Sequence, residues 1–557
     1  MNGDAASGDV TAPLVYVNYG LPADYRALDS LGISVKGRIA IARYGRSFRG
    51  IKAREAERHG AAALLLYSDP QDDGYVRGDV YPEGPMRNPM GIQRGSILNS
   101  DGDPATPGWS AVPGARHLTP EEMDLPRIPV VPMGYGNAAI LMEPLGGPGA
   151  PDGWQGGLPF HYHVGGDSVV VRVGLWHEAA SRSWRTITNT FGTLRGTEWP
   201  QEVVVVGGHR DAWGPGAADN VSGVVGVLQA ARILGEAARQ GFRPRRTIVF
   251  ATWDAEEWGL VGSTEWVEGR EADLSAHVVA YLNLDVSAAG RAFGASGTGS
   301  LQPLLRELTR QVRQPYDTVS VYAAWRARSH LADTAEVRMG DLGGGSDFGP
   351  FYNHLGIPSA DFGFGGPGGV YHSAYDSYDW MRRFGDPEFQ SHAAAGELAG
   401  LFLARMANAD LVPFDYDAYA THLLTTVTRL AGTMAKQDST PDFQPMVDAL
   451  LRLRQVADRW ALARDRALAG RVDPAALVRA NERLRQVERA LTRPEGLVGR
   501  SWMRNLTFAS DRDNGYANVA FPSVSEAFED HDYGRVRREV QDLADRLATA
   551  STRLEEA

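Results

Sequence analysis

The sequence predicts an α/β fold followed by a helical region, and the prediction rests on three observations. Three β-branched runs, QEVVVVGGH, RRTIVFATWDAEE and HVVAYLNLD, each end in polar or acidic residues. A stretch whose apolar residues have helical spacing, DNVSGVVGVLQAARILGEAARQG, lies between the first two runs. Near the carboxyl end of the chain, apolar residues recur every three or four positions. Strands that alternate with helices favour a largely parallel sheet, and functional residues gather at the carboxyl ends of such strands.

Three domains are expected along the chain, at residues 1–184, 185–410 and 411–557. In the first, LVYVNYG, GRIAIARYG and AAALLLYSDP are typical of strands, whereas the Gly- and Pro-rich loops between them are typical of binding or lid elements. The second holds the α/β layer, with Val221, Val224, Val225, Leu228 and Leu234 at helical spacing. The third is predicted to be a helical bundle, in which Asp473 and Pro474 mark a helix start.

Composition excludes several classes of function. The chain has 56 basic and 68 acidic side chains, a net charge of −12, which argues against a nucleic-acid partner. It has no cysteine, so disulfides, cysteine–zinc sites and thiol nucleophiles are excluded. We expect no membrane segment, since no apolar run reaches the length of about 18 residues that a spanning helix needs. The first residues, MNGDAASGDVTA, lack the pattern of a signal peptide.

Five potential metal ligands follow the strand-like runs of the α/β domain. They are His209, Asp219, Glu257, Asp285 and His372. Two imidazoles and three carboxylates suit a pair of zinc ions, with one carboxylate shared between the metals. Each residue alone is more often structural, because strand-end acids commonly cap helices and surface histidines are common. Their coincidence at the strand ends of one domain favours a metal site.

Glu256 lies beside Glu257 within WDAEEWGL, which is flanked by apolar residues. Because of these apolar neighbours, we do not interpret Glu256 and Glu257 as merely a solvated pair of surface acids. If one carboxylate binds metal, its neighbour is free to take a proton from water and pass it to a departing amine.

The chain resembles the glutamate carboxypeptidase II and transferrin receptor family of dizinc metallopeptidases. The resemblance rests on GGHRDAW, RPRRTIVFATWDAEEWGLVGSTEW, YLNLD and VYHSAYDSYD. It extends upstream through IARYGRSFRG and GIQRGSILN, and downstream through NGYANVAFP. It implies a zinc exopeptidase-type mixed sheet flanked by helices, an inserted β-rich protease-associated (apical) domain, and a C-terminal helical dimerisation domain that pairs two chains.

The resemblance also implies the role of each ligand. Asp219 would bridge two zinc ions, His209 and Asp285 would hold one, and Glu257 and His372 the other. The implied activity is that of a carboxypeptidase-like exopeptidase that acts on small peptides through a metal-activated water.

Further residues acquire roles from the same resemblance. Glu256 would be the general base and acid, and Tyr371 would hydrogen-bond the substrate and the oxyanion. Asp211 would orient His209. Arg49 would grip the free α-carboxylate of the substrate, because a guanidinium fork suits a bidentate contact, and Tyr516 would share that task.

Other family sites fall on identifiable residues. Gly345 and Ser346, in GGGSDF, fall in the segment that binds substrate. A structural calcium ion is implied at residues that would tie the first two domains together: Thr106, Trp109 (through its backbone), Glu265 and Glu268.

The departures from the family pattern concern recognition of acidic substrates. Gly515 replaces the lysine that reads a glutamate side chain, and Ser96 replaces its asparagine partner. The arginines for an acidic penultimate residue fall on Asp361 and Gly363, and Ser346 replaces an asparagine. An unpaired buried carboxylate is costly. We therefore expect weak activity on acidic dipeptides and a preference for a neutral or apolar C-terminal residue.

Two more expectations follow from the resemblance. Asn220 stands where the mammalian pattern has proline, and the family places a cis peptide bond between this position and Asp219. The chain also opens inside the apical domain. A truncated start would be consistent with a secreted or periplasmic protein, and a true start at Met1 with a cytoplasmic one.

Two other functions remain open at this stage. One is a dizinc aminopeptidase, against which Arg49 argues. The other is a receptor-like binding protein on the same scaffold, against which the retention of all five ligands and Glu256 argues.

Overall fold

The computed structural model describes residues 2–177, 184–332, 335–436, 441–470 and 472–557. Three regions follow each other along the chain: a five-stranded sheet with short helices, a six-stranded sheet flanked by helices, and a helical region with one small hairpin.

The first region is a mixed sheet in the order β4-β3-β2-β1-β5. Its strands are β1 (Gly8–Tyr16), β2 (Ile39–Arg43), β3 (Ala63–Tyr67), β4 (Val130–Met133) and β5 (Gly165–Leu175). Its helices are α1 (Pro22–Ser30), α2 (Arg49–Arg58), α3 (Pro70–Asp73) and α4 (Tyr135–Met142). Strands β1 to β4 pair in parallel and β5 is antiparallel to β1. Helix α2 begins at Arg49, and its first turn is buried.

The second region is also a mixed sheet, in the order β10-β11-β9-β7-β8-β6. Its strands are β6 (Thr190–Leu194), β7 (Trp199–His209), β8 (Arg246–Trp253), β9 (Val278–Asn283), β10 (Ala292–Gly297) and β11 (Ser359–Gly365). Its helices are α5 (Gly223–Arg239), α6 (Val261–Glu268), α7 (Glu271–His277), α8 (Gln302–Thr309), α9 (Val321–Arg328), α10 (Tyr378–Trp380) and α11 (Gln390–Asn408).

The three predicted strands β7, β8 and β9 lie side by side and in parallel. Val206 pairs with Phe250 on one side and Leu282 on the other, so the three strands end at one edge of the sheet. Parallel strands buried on both faces read as continuous apolar runs, as the VVVV segment of β7 does. The predicted α/β layer is confirmed, and the loops after these strands carry the predicted ligands.

In helix α5 the predicted apolar residues are only partly buried, with Leu234 in the core and Val224 half-buried. Val221, just before the helix, and Val225 and Leu228 within it are exposed, whereas the buried face carries small residues such as Gly226 and Ala230. A methyl group added at Gly226 would lie 3.1 Å from the Leu284 side chain. The helix thus lies close to the sheet through small residues together with Val227 and Leu234, whereas Val225 and Leu228 point away.

The third region is mainly helical. Its helices are α12 (Tyr416–Met434), α13 (Gln444–Leu468), α14 (Pro474–Arg489), α15 (Pro522–Glu529) and α16 (Tyr533–Glu555). One apolar core joins these helices to the six-stranded sheet, and a separate core lies within the first region. A hairpin of β12 (Phe508–Ser510) and β13 (Asn518–Ala520) carries Tyr516 in its turn.

One helical stretch of the described chain, Ala217–Arg239, is long and apolar enough to cross a membrane by length and composition alone. It packs against β7, β8 and α11. Core helices of soluble proteins meet the same criteria, so this stretch is weak support for a membrane span.

Candidate metal centre

The first half of the centre lies where β7 and β9 end. His209 is the last residue of β7, and its Nε2 lies 3.2 Å from Asp219 Oδ1 and 3.3 Å from Asp285 Oδ1. Asp285 follows β9 by two residues. The imidazole is 1% exposed, so these carboxylates face a ring that is shielded from water.

The second half shares Asp219 with the first. His372 Nε2 lies 3.1 Å from Asp219 Oδ2 and 3.1 Å from Glu257 Oε2. The two oxygens of one carboxylate thus face two different imidazoles, each of which has a second acid of its own. All five predicted ligands converge, in two groups of three that have Asp219 in common.

Both imidazoles present the same nitrogen to the carboxylates. His209 Nδ1 lies 3.1 Å from the backbone carbonyl of Asp211, and His372 Nδ1 lies 2.7 Å from that of Arg94. A carbonyl oxygen only accepts hydrogen bonds, which places a proton on Nδ1 of each ring. Arg49 Nη2 also lies 3.1 Å from His372 Nδ1. Each Nε2 faces carboxylate oxygens, so a cation, either a proton on Nε2 or a metal ion, lies between the donor atoms.

The electrostatics of the acids agree with this requirement. Burial, followed by the nearby charge of Asp219, raises the pKa of Glu257, whose Oε1 is buried without a hydrogen-bond partner among the described residues. Burial also raises the pKa of Glu256, and the charge of Glu257 adds to the effect. Burial opposes ionisation of Asp219 too, but hydrogen bonds from His209 and His372 hold its pKa well below the usual value. The donor set fits two divalent cations such as zinc, whose charge would offset these buried acids.

The two glutamates are positioned by a turn that the sequence pattern did not predict. Strand β8 ends at Trp253, and Glu256–Trp258 forms a single 3₁₀ turn after Ala255, which has a left-handed backbone. The carboxylate of Asp211 accepts hydrogen bonds from the backbone N–H groups of Glu256 (3.0 Å) and Glu257 (3.1 Å). Asp211 was expected to orient His209. In the structure its backbone carbonyl lies 3.1 Å from His209 Nδ1, while its carboxylate holds the glutamate pair.

Two supporting residues were missed at the sequence level. Asp376 accepts hydrogen bonds from the backbone N–H groups of Ala218 (2.8 Å) and Asp219 (3.0 Å). Asn220 donates to the carbonyls of His209 and Leu284, and accepts from Val286 N–H, so one amide ties together the loops after β7 and β9. The only signal for Asp376 was its place in YDSYD. The Asp219–Asn220 peptide bond is cis, as the resemblance implied.

A cavity of about 450 Å³ opens onto the metal centre. Arg49 is 4% exposed on its wall, and its Nη2 lies 3.3 Å from the hydroxyl of Tyr371 and 3.2 Å from that of Tyr516. Nη1 donates to the carbonyl of Ser96 at 3.2 Å. The predicted substrate-binding residues Arg49, Tyr371, Tyr516 and Gly345 are therefore brought together on one wall.

Two glycines let the hairpin turn approach this wall. Gly345 has a φ of +87°, and a Cβ there would lie 2.6 Å from the ring of Tyr516. Gly515 has a φ of +83°, and a Cβ there would lie 2.6 Å from the Cβ of Phe48. The space beside Phe48 is thus occupied by backbone, and no basic side chain extends from position 515.

The other residues that differ from the family pattern form hydrogen bonds with their neighbours in this structure. The hydroxyl of Ser96 donates to Asp4 at 2.6 Å and accepts from the backbone of Leu98 at 3.0 Å. Ser346, predicted to bind substrate, donates its hydroxyl hydrogen to Asp285 Oδ2 at 2.6 Å. The carboxylate of Asp361 accepts from Asn283 at 2.6 Å.

The residues predicted to bind calcium also lie close together. Glu265 accepts hydrogen bonds from the backbone of Asp103 at 2.9 Å and of Ala111, so the loop of the first region wraps around α6. Thr106 Oγ1 and Glu268 Oε2 are buried without a hydrogen-bond partner in the described part of the chain. Burial raises the pKa of Glu265 to about 7 and, with the neighbouring charge of Glu265, that of Glu268 to about 8. The Trp109 side chain donates to the carbonyl of Arg116.

Comparison with known proteins agrees with this architecture. Residues 189–387 match peptidase family M28, residues 10–104 match the PA domain, and residues 441–555 match the transferrin receptor-like dimerisation domain. The chain is 36% identical to the probable glutamate carboxypeptidase LAMP1 of Arabidopsis thaliana, over 95% of this chain and 75% of that protein. It is 36% identical to the probable glutamate carboxypeptidase VP8 of Zea mays, over 94% and 71%. It is 32% identical to the aminopeptidase NAALADL1 of Rattus norvegicus, over 94% and 73%.

Three successive domain matches and two converging ligand groups thus point the same way. The chain belongs to peptidase family M28, as a zinc metallopeptidase with the domain organisation of the glutamate carboxypeptidase and transferrin receptor family.

Proposed function

We propose that the protein is a co-catalytic dizinc exopeptidase that removes the C-terminal residue of small peptides. The observation that carries the proposal is the carboxylate of Asp219, whose two oxygens face His209 and His372 at 3.2 and 3.1 Å. A shared carboxylate with one imidazole and one further acid on each side is the donor set of a two-metal hydrolytic site.

In this proposal Glu256 moves the proton. Two zinc ions held by the five ligands would supply Lewis-acid activation of a water molecule and of the scissile carbonyl. Glu256 Oε2 lies 3.8 Å from His209 Nε2, beside the ligands but outside both groups of three. Its carboxylate takes a proton from the water as the C–O bond forms, and returns it to the amine nitrogen as the C–N bond breaks. Tyr371 donates its hydroxyl hydrogen to the developing oxyanion.

Arg49 supplies the preference for a free C-terminus. Its guanidinium is buried at the cavity wall, and its Nη2 is shared between two tyrosine hydroxyls and His372 Nδ1. None of these contacting groups is an anion, so a substrate α-carboxylate is a suitable direct partner for the guanidinium.

An aminopeptidase is the second candidate, because NAALADL1 relatives carry that name whereas the plant relatives are named as glutamate carboxypeptidases. The protonated α-amine of an aminopeptidase substrate would be repelled by the positive charge of Arg49. Peptides that differ only in N-acetylation or C-amidation separate the two: a carboxypeptidase cleaves the N-acetylated peptide and spares the amidated one.

The expected preference for a neutral or apolar C-terminal residue belongs to the same proposal. It is supported by Gly515, where no side chain extends, and by Ser96, whose hydroxyl hydrogen is used by Asp4. Cleavage of N-acetyl-aspartyl-glutamate as fast as a matched peptide ending in leucine would contradict it.

We also propose one structural calcium ion at Thr106, Trp109, Glu265 and Glu268, and a homodimer formed through the C-terminal helical region. The calcium proposal is supported by the buried, unpaired oxygens of Thr106 and Glu268. The dimer is supported by the match to a dimerisation domain at residues 441–555.

The deciding experiment is digestion of a peptide library in the presence of zinc, with the native chain and Glu256→Gln compared. We expect removal of single C-terminal residues by the native chain and almost none by the variant. Equal digestion by both would show that Glu256 is not the base. A native chain that binds no zinc would favour the receptor-like alternative.

A further inference from the structure

A continuous chain of hydrogen bonds runs through the sheet to the ligand Asp285. Trp253 Nε1 donates to the hydroxyl of Tyr281 at 2.9 Å, and that hydroxyl donates to Asn283 Oδ1 at 3.0 Å. Asn283 Nδ2 donates to Ser346 Oγ at 2.8 Å, and Ser346 Oγ donates to Asp285 Oδ2 at 2.6 Å. Trp253, Tyr281, Asn283 and Ser346 are each at most 5% exposed, so water does not compete strongly for these groups.

The direction of every bond in this chain is determined by chemistry. The indole N–H is only a donor, so the Tyr281 hydroxyl accepts from it and donates onward to Asn283 Oδ1. The other N–H of the Asn283 amide goes to Asp361 Oδ2 at 2.6 Å, which orients the amide when Asp361 is ionised, because a flipped amide would then set two acceptors against each other. Ser346 accepts from this amide and therefore gives its single hydrogen to Asp285.

The sheet places these residues in register. Asp361 pairs with Asn283 across the parallel strands β11 and β9, so their side chains lie on one face. Tyr281 and Asn283 are two positions apart in β9 and so point to the same face, and Asp285 follows after the strand ends. The orientation of Ser346 is thus imposed by buried strand residues and not by the substrate cavity.

The consequence concerns which oxygen of Asp285 is available. Oδ2 is taken by Ser346, whereas Oδ1 is 3.3 Å from His209 Nε2. We propose that Ser346, oriented by Asn283 and Asp361, is a positioning residue that makes Asp285 offer Oδ1 alone to the metal. This inference rests on the proposed zinc site. It replaces the expected role of Ser346 as a substrate contact, since the hydroxyl has no hydrogen left to donate.

The test compares Ser346→Ala with Ser346→Thr, which keeps the hydroxyl. The readout is zinc affinity, measured by competition with a chelating dye on the metal-free protein. Loss of a partner that orients a ligand typically costs about 10–100-fold in metal affinity. We expect that loss for one of the two zinc ions in Ser346→Ala, and near-native affinity in Ser346→Thr. With both sites saturated, KM of the alanine variant should stay near native.

A matched control is Ser391→Ala, which removes another buried hydroxyl, bonded to the carbonyl of Gly290 at 2.6 Å and outside the chain of bonds to Asp285. It should leave both zinc affinities unchanged. Asn283→Ala is a second variant, to be used if Ser346→Ala fails to fold. It frees the Ser346 hydroxyl to rotate and should weaken the binding of the same zinc ion.

The outcomes separate this inference from the proposed function. If the native chain takes up no zinc, the proposed function fails. If it takes up two zinc ions and Ser346→Ala binds them equally well but shows a raised KM, the positioning role is wrong and Ser346 contacts substrate. If Asn283→Ala binds zinc as the native chain does, the orientation by the amide is wrong.

Discussion

The metal centre and the wall of the substrate cavity meet in one cavity but are assembled differently. All five candidate ligands come from a strand end and the loops of the six-stranded sheet, and backbone ties from Asp211, Asp376 and Asn220 hold them. The wall brings together Arg49 from the first region and Tyr516 from the hairpin of the third. The candidate ligands therefore come from one domain, although the carbonyl of Arg94 in the first region holds His372 Nδ1, whereas the wall depends on how three regions dock. Variants in the two places should fail in different ways.

The largest effect is expected at Glu256. Glu256→Gln keeps the size of the side chain but cannot carry a proton, and general acid–base catalysis is typically worth about 10²–10⁴-fold. We expect kcat to fall by about 10³-fold or more, with zinc content, measured by elemental analysis, unchanged. Loss of zinc in this variant would place Glu256 among the ligands instead.

The next effect is expected at Arg49. Arg49→Met removes the cation but keeps an apolar stem, and a hydrogen bond to a charged group is worth about 1.5–3 kcal/mol. We expect kcat/KM for peptides with a free C-terminus to fall about 10–100-fold through KM. Arg49 Nη2 also lies 3.1 Å from His372 Nδ1, so zinc content is measured in the same variant. We expect zinc to be retained, because the carbonyl of Arg94 still holds that ring at 2.7 Å.

Arg54→Met is the matched control for Arg49, because Arg54 lines the same cavity but is paired with Asp513 at 2.7 Å. It should leave KM near native. If Arg49→Met and Arg54→Met are equally impaired, the effect is a general loss of charge and not recognition of a carboxylate.

A smaller effect is expected at the loop around α6. Calcium at about 100 times its Kd would stabilise the native chain by about 2.7 kcal/mol. Thermal unfolding followed with and without calcium should therefore show a higher Tm with calcium for the native chain, and no response for Glu268→Gln. Activity with zinc saturated should be nearly equal in both. A calcium response that survives in Glu268→Gln would contradict the assigned ligand.

The smallest effect is expected at Glu488, a buried acid with no proposed metal. Burial raises its pKa to about 7 from 4.5, and the Ser300 hydroxyl, which donates to it, opposes the shift. The native state then binds more protons than the unfolded state between these values, so stability falls as pH rises through that window.

Glu488→Gln removes this dependence. We expect the variant to unfold with a free energy roughly 1–2 kcal/mol higher than the native chain at pH 8, and with no such gain at pH 4.5, by denaturant titration. An equal gain at both pH values would mean that shape, not charge, is responsible.

The metal centre could be predicted from the sequence because its ligands follow parallel strands whose ends share an edge. His209, Asp219, Glu257, Asp285 and His372 converge as expected. Two features nearby could not be predicted: the 3₁₀ turn at Glu256, and the chain of hydrogen bonds that engages Ser346. Both depend on how buried side chains pair across strands, which spacing along one segment does not encode. Helix α5 shows the same limit, since the exposed Val225 and Leu228 have the spacing of a buried face.

Zinc stoichiometry of Asp219→Ala beside the native chain tests the central claim most directly. Asp219 is the only candidate ligand that belongs to both groups of three among the described residues. We expect two zinc ions per chain in the native protein and loss of both at the same free zinc concentration in the variant. A native chain with fewer than one zinc ion, or a variant that keeps two, would contradict a shared carboxylate between two metals.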